Sequence, residues 1–148
     1  LQTSVSNLDV QNIGTGSAFI VNAGPVSLIN NFRNTASGGE LRLTTVTGAI
    51  DTQSVNVSSA GGRIALIAND TAGGATGNII VGTGGIASTG GDIALHAADN
   101  ITVNGTVAAG AGNLRLLAGT GIGLNTAHAT LTGSNPVAAT EPAIEDRW

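Results

Sequence analysis

The 148-residue chain contains no cysteine, methionine, tyrosine or lysine, and its only aromatic residues are Phe19, Phe32 and Trp148. The absence of cysteine excludes both a disulfide framework and a thiolate metal site. The scarcity of aromatic side chains excludes a core built on bulky rings. We therefore predict a narrow interior lined by Ile, Leu, Val and Ala.

Charge is also scarce, since 9% of the residues are charged and the formal net charge is −4 at pH 7. The sequence contains no basic run, which argues against nucleic acid and anionic membranes as partners. No apolar run approaches the roughly 18 residues of a membrane span. The sequence starts at Leu1 without a secretory leader, so we expect that a leader has been removed or that the chain is a piece of a longer protein.

Glycine is abundant, with 23 residues, and it precedes a repeated apolar pattern. The stretches "GGRIALIAND" and "GGDIALHAAD" are nearly the same, and "GGELRLTT" and "AGNLRLLAG" share their pattern. In each copy two apolar residues flank a small or charged one, which predicts a half-buried strand with the middle residue outward. The apolar pairs are Leu41 and Leu43, Ile64 and Leu66, Ile93 and Leu95, and Leu114 and Leu116, and the outward residues are Arg42, Ala65, Ala94 and Arg115.

The first strands start 23, 29 and 21 residues apart, a period typical of a solenoid, propeller or array. Two shorter apolar segments recur between them, separated by Gly, Asn, Asp or Thr. A propeller blade needs about 40 to 45 residues, and no Leu-Asn frame of a leucine-rich repeat is present. The sequence predicts an all-β parallel β-helix (β-solenoid) with about three short strands per coil and five to six coils, over residues 1–133. The second strands begin at Ile50, Ile79, Ile101 and Ile122, and the third strands contain Val57, Ile86, Val107 and Leu131.

Three further details follow from the same alignment. In the N-terminal part, "NLDVQNIG" and "GSAFIVN" continue the coils, and "PVSLIN" gives a second strand that ends at Asn30. The longer second interval contains "NDTAGGATG", which predicts a loop at Asn69–Gly77 that bulges from a corner. The residue before each first strand should form a ladder in which Arg63 lies between two acids. This ladder comprises Glu40, Arg63, Asp92 and Asn113.

We predict no catalytic, cofactor-binding or metal-binding residues, and no enzyme activity. His96 and His128 are expected to be solvated outward side chains. A polysaccharide-cleaving β-helix would need carboxylates that converge on one face, and the aspartates are spread over different faces and the predicted loop. "GTGGIAS" and "GTGIGL" lack the Lys and the following helix of a phosphate loop. The aspartates considered are Asp51, Asp70, Asp92 and Asp99.

The stretch "GGDIALHAADNITVNGTVAAGAGNLRLLAGTGIGL" resembles the repeat region of filamentous-haemagglutinin-like two-partner secretion exoproteins and other large bacterial β-helix adhesins. The similar portion covers residues 16–133. The resemblance implies a right-handed β-helix, export through an outer-membrane β-barrel, and a role at the cell surface in adhesion or filament formation. It implies no catalytic residues, because this part of the family has no catalytic motif.

Residues 134–148 break the repeat, because Pro136 and Pro142 oppose ladder strands and charge is concentrated there. This tail is a linker, a cap or a docking segment, and in the last two cases Ile144 and Trp148 are the candidate apolar anchors. A solenoid needs its open end covered, which keeps these alternatives open.

The expected function is that of a structural and interaction segment of an extracellular bacterial fibre or adhesin stalk. The expected partners are copies of itself stacked end to end or further coils of the same parent chain, with no nucleic acid and no membrane insertion. The first alternative is a receptor- or carbohydrate-binding adhesin module that uses the Asn69–Gly77 loop. The second alternative is a β-helix polysaccharide-degrading enzyme.

Overall fold

The computed structural model describes residues 1–12, 16–35, 37–125, 127 and 129–134, and the backbone of residues 136–140. His128 and the candidate tail anchors Ile144 and Trp148 lie outside the described residues. The predictions made for these three side chains therefore stay predictions.

The described chain contains only strands, turns and bends, and no helix. Alternating apolar residues and the many turn-forming Gly, Asn and Asp residues account for short strands separated by tight corners. The strands in chain order are β1 (Gln2–Thr3), β2 (Asn7–Asn12), β3 (Ala18–Asn22), β4 (Val26–Asn34), β5 (Leu41–Thr45), β6 (Ile50–Asp51), β7 (Val57–Ser59), β8 (Ile64–Ala68), β9 (Ile79–Val81), β10 (Ile86–Ser88), β11 (Ile93–Ala97), β12 (Asn100–Val103), β13 (Thr106–Ala108), β14 (Leu114–Ala118), β15 (Gly121–Leu124), β16 (Thr130–Thr132) and β17 (Pro136–Thr140).

These strands pair in parallel with their counterparts one coil away and form a β-solenoid of about 5 turns, which confirms the predicted fold class. The first sheet has the order β1-β3-β5-β8-β11-β14-β17. We call the stack β4-β6-β9-β12-β15 the second ladder and the stack β4-β7-β10-β13-β16 the third ladder. Because one coil cannot cover its own apolar face, each coil is completed by the coils on either side of it.

The predicted register of the first sheet is confirmed residue by residue. Leu95 pairs with Leu66 on one side and Leu116 on the other, and Ile93 pairs with Ile64 and Leu114 in the same way. All of these side chains are buried in one continuous hydrophobic cluster. Identical or similar side chains therefore stack in columns along the solenoid axis.

The residues between these columns were predicted to be outward and exposed, and the two alanines among them are not exposed. Arg42 is exposed as expected, but Ala65 and Ala94 are only 1% and 4% exposed. Neither alanine belongs to the core cluster. Both alanines are therefore buried on the outer face of the sheet and not in the core.

The N-terminal coils are less regular than the later ones. β4 runs without interruption through Asn34, four residues beyond the predicted end at Asn30. It pairs with β6 through Val26 and with β7 through Phe32, so this single strand belongs to both the second and the third ladder. The bend between the two halves falls at Asn30, whose φ of 57° is a conformation that asparagine tolerates better than most residues.

The ladder also continues past the predicted boundary at residue 133. The backbone of Pro136–Thr140 forms β17, which pairs in parallel with β14 and places Pro136 beside Leu114. Proline is compatible with this position because it is the first residue of a strand at the end of the sheet. The tail thus begins with a further strand of the first sheet.

The paired glycines of the repeat are explained by the spacing of the coils. The second glycine of each pair (Gly39, Gly62 and Gly91) belongs to a column of glycines, one per coil, that also includes Gly16 and Gly112. A Cβ atom on any of these except Gly16 would collide with the backbone of the preceding member of the column. Glycine is therefore required at this corner by the close approach of two backbones.

Candidate functional site

The predicted loop at Asn69–Gly77 does bulge from the corner between the first sheet and the second ladder, and residues 71–76 are exposed. Its shape is fixed from within, because Thr76 donates through its hydroxyl to Asp70 Oδ1 (3.1 Å) and through its backbone N–H to Asp70 Oδ2 (3.3 Å). The Thr71 hydroxyl donates to the carbonyl of Val46 (3.0 Å), which ties the loop to the preceding coil. The loop is thus an exposed projection that is held in place by hydrogen bonds.

An open groove lies on the outer face of the second ladder, immediately after this loop in the chain. Its polar lining comes from Asn78, Asn100 and Thr102, and its apolar lining includes Ile80. Asn78 Oδ1 accepts bonds from both the backbone N–H and the side-chain amide of Asn100, each at 3.1 Å. Asn78 in turn donates to the carbonyl of Ala75 (3.1 Å), so the amide ladder of the groove is joined to the loop.

The amide ladder formed by Asn78 and Asn100 ends at Asn100, because the residue of the next coil that pairs with Asn100 is Gly121. We predict that Gly121→Asn stabilises the protein by about 1 kcal/mol, because it lowers the entropy of the unfolded chain and extends the ladder by one amide. The Cβ position of Gly121 is 3.4 Å from Asn100 Oδ1, and its φ is not positive, so the new side chain has room.

Gly121→Ala is the matched control, because it adds the backbone restriction without the amide. Thermal unfolding of the three proteins separates the two contributions. An asparagine variant no more stable than the alanine variant would show that the ladder does not extend.

The sequence-predicted polar residues are not brought together. Four aspartates each accept a hydrogen bond at a corner of the solenoid. His96 lies between two core positions on the outward side of its strand, as predicted, but it is half-buried and not fully solvated. Within the described part of the chain, no three His, Cys, Asp or Glu residues are close enough to hold a metal ion. The bonds run from Gln53 to Asp51, from Thr76 to Asp70, from Asn113 to Asp92 and from Gly77 to Asp99.

The predicted ladder of charges is confirmed on one side only. Arg63 Nη1 lies 4.0 Å from Glu40 Oε1, and both side chains are partly exposed, so the pair contributes no more than about 1 kcal/mol. On the other side, Asp92 Oδ1 accepts a bond from the Asn113 side chain (3.0 Å). These contacts support the register and provide no binding chemistry.

The features that bear on function are therefore a β-solenoid, a hydrogen-bonded loop and an open groove lined by both apolar and amide side chains. The structure contains no helix, among the residues described, with the length and hydropathy of a membrane span. Searches against protein-family models, curated proteins and solved structures find no match.

Sequence reasoning missed the groove, although the signal was present. Asn78 and Asn100 both stand directly before a second-ladder strand, in "TGNII" and "ADNITV". Asparagine at the same place in successive coils indicates a stacked amide ladder, in the same way that paired leucines indicate a stacked core.

Proposed function

We propose that this chain is a non-enzymatic structural segment of an extracellular bacterial fibre or adhesin stalk, in which coils stack into a rod. The observation that carries this proposal is the burial of the core columns along the axis. Ile101 and Val103 are fully buried between neighbouring coils. Their counterparts in the next coil, Ile122 and Leu124, are partly exposed, with Leu124 at 45%.

The C-terminal face of the second ladder therefore presents core side chains in the same column as the coils before it. A coil of similar sequence would bury them, because the column spacing and the parallel pairing are already set. That coil can come from further residues of the same parent chain or from another copy. A contact between copies of this kind joins two different surfaces and does not close, so it propagates into a fibre.

The location outside the cell is supported by the resemblance to two-partner secretion exoproteins and by the absence of cysteine. A chain without cysteine does not form disulfides before or during export. The low charge and the narrow aliphatic core also suit a long exposed rod more than a compact enzyme.

We expect the 148-residue protein to assemble into filaments with an axial repeat of roughly 25 to 30 Å or slightly more, set by the number of coils. Electron micrographs and sedimentation velocity at increasing concentration measure this. Leu124→Lys should stop assembly, because it places a charge in the column that the next coil must cover.

Thr102→Lys is the control, because Thr102 is exposed on the side of the rod and not on its end. It should assemble like the original protein. A stable monomer at high concentration would count decisively against stacking between copies.

A second candidate function is a receptor- or carbohydrate-binding module, favoured by the projecting loop beside a groove that has both apolar and polar lining. The amide and hydroxyl groups of Asn78, Asn100 and Thr102 suit a neutral, hydroxyl-rich ligand. A glycan array tests this, with Asp70→Ala as the matched variant because it removes both bonds that shape the loop. Glycan binding that disappears in this variant would support the second function.

A further inference from the structure

The groove on the outer face of the second ladder is longer along the solenoid axis than across it. Its lining begins at Ala49, just before β6, and ends at Gly123 in β15, so it crosses four successive coils. Each coil contributes no more than three adjacent positions. Four coils extend over about 14 Å from first to last, whereas three adjacent residues of a strand span about 7 Å. The groove therefore fits a linear chain that runs parallel to the axis.

The groups along the groove repeat with the period of the coil. Asn78 and Asn100 stand at the same place in successive coils, and Thr102 follows Ile80 in the row beside them. Neighbouring positions in a row are about 4.8 Å apart. One sugar ring of an extended glycan advances by a similar distance, whereas an extended peptide presents the same side only every two residues, or about 7 Å. The period thus favours a glycan over a peptide.

The C-terminal part of the groove combines an available hydrogen-bond acceptor with open space. Within the described part of the chain, no group donates to Asn100 Oδ1, although the same amide donates to Asn78. Asn100 Oδ1 lies 3.4 Å from the Cβ position of Gly121. Apart from its chain neighbours, nothing lies within 4 Å of the Cβ position of Gly123. A hydroxyl group placed over these two glycines can therefore donate to Asn100.

The electrostatics of the groove favour an uncharged ligand. None of the described residues that line it is charged. Two acidic residues flank it, since Asp51 pairs with Ile80 from the preceding coil and Asp99 directly precedes Asn100. Carboxylates at these places repel an anionic chain.

We propose that the groove binds a linear, uncharged glycan that lies along the solenoid axis with one sugar ring per coil. Asn100 and Thr102 form hydrogen bonds with the sugar hydroxyls, and Ile80 packs against the apolar face of a ring. Because four coils line the groove, four rings fill it. The proposal rests on the second candidate function, glycan binding, and is independent of whether coils stack into a fibre.

The length of the bound glycan tests the fit between rings and coils. The probes are cello-, manno- and xylo-oligosaccharides, which are uncharged and extended, from the disaccharide to the hexasaccharide. In calorimetric titrations the affinity for at least one series should rise with each sugar up to the tetrasaccharide and then stay level. Equal affinity for the disaccharide and the hexasaccharide, or no binding in any series, would overturn the proposal.

Oligomannuronate is the charged counterpart of the manno-oligosaccharides, because it has the same linkage and adds a carboxylate to each ring. It should bind more weakly than the uncharged series, since its carboxylates face Asp51 and Asp99. Equal or tighter binding of oligomannuronate would contradict the assignment of an uncharged ligand.

Gly121→Asn should remove glycan binding from a protein that is still folded. The new side chain occupies the space over Gly121 and takes the free acceptor of Asn100, so we expect the affinity to fall about tenfold or more. Gly90→Asn is the matched control, because Gly90 lies outside the groove, has no atom within 4 Å of its Cβ position and has no positive φ. It should bind like the original protein. A similar loss in both variants would contradict the proposal.

The Asp70→Ala variant separates the groove from the loop. If the glycan lies in the groove, Asp70→Ala should weaken binding less than Gly121→Asn does. Binding that is lost in Asp70→Ala but unchanged in Gly121→Asn would assign the glycan to the loop. That result would keep the second candidate function and overturn the groove proposal, whereas the absence of any glycan binding would overturn both.

Discussion

We expect Gly91→Ala to prevent the solenoid from folding normally and Gly90→Ala to leave it folded and slightly more stable. A Cβ atom at Gly91 would meet the backbone of Gly62, and it would lie 2.8 Å from the backbone N of Arg63. No side-chain rotation relieves a clash between two backbones, so we expect a loss of about 3 kcal/mol or more in the free energy of unfolding.

The neighbouring glycine is the matched control. Gly90 has no atom within 4 Å of its Cβ position and no positive φ. Alanine there restricts only the unfolded chain and should stabilise by about 0.4 to 1 kcal/mol. Chemical denaturation of both variants makes the comparison, and similar midpoints for the two would refute the role assigned to the glycine column.

Leu95→Asp should abolish folding altogether. Leu95 is fully buried between Leu66 and Leu116, so the new carboxylate would have neither water nor a partner. The cost of burying an unpaired charge exceeds the total stability of an ordinary domain of this size. The expected result is the loss of β-type circular dichroism and of a cooperative melting transition.

The choice of control for this variant depends on the structure. The sequence alone favours Ala94→Asp as a silent surface change, but Ala94 is a covered position. Thr102→Asp is suitable because Thr102 is exposed between two core residues, and it should change stability by no more than about 0.5 kcal/mol. Normal melting of Leu95→Asp would contradict the register of the first sheet.

Much of the fold could be predicted because a solenoid turns one-dimensional sequence periodicity into three-dimensional stacking. The spacing of Leu43, Leu66, Leu95 and Leu116 is enough to place these residues in one column, since each coil repeats the path of the last. The loop was predictable for the same reason, as the one place where the period lengthens. No long-range topology had to be guessed.

The features that could not be predicted depend on what lies beside a residue in another part of the chain. The alternation pattern assigns Ala94 to the outer face correctly but contains no information on what covers that face. Pro136 looks like a ladder breaker until it is known to be the first residue of the last described strand. The groove at Asn78 and Asn100 depends on hydrogen bonds between side chains, which an apolar pattern does not report.

The stacking of each coil on the last also bears on the order in which the chain can fold. The bonds that join successive coils connect residues 17 to 30 positions apart. That separation is set by the coil and does not grow as coils are added, so contact order relative to chain length falls in a longer rod. Once a first pair of coils has formed, each later coil closes a loop of similar length onto an existing template. Folding can then propagate coil by coil along the chain, starting from whichever coils form first.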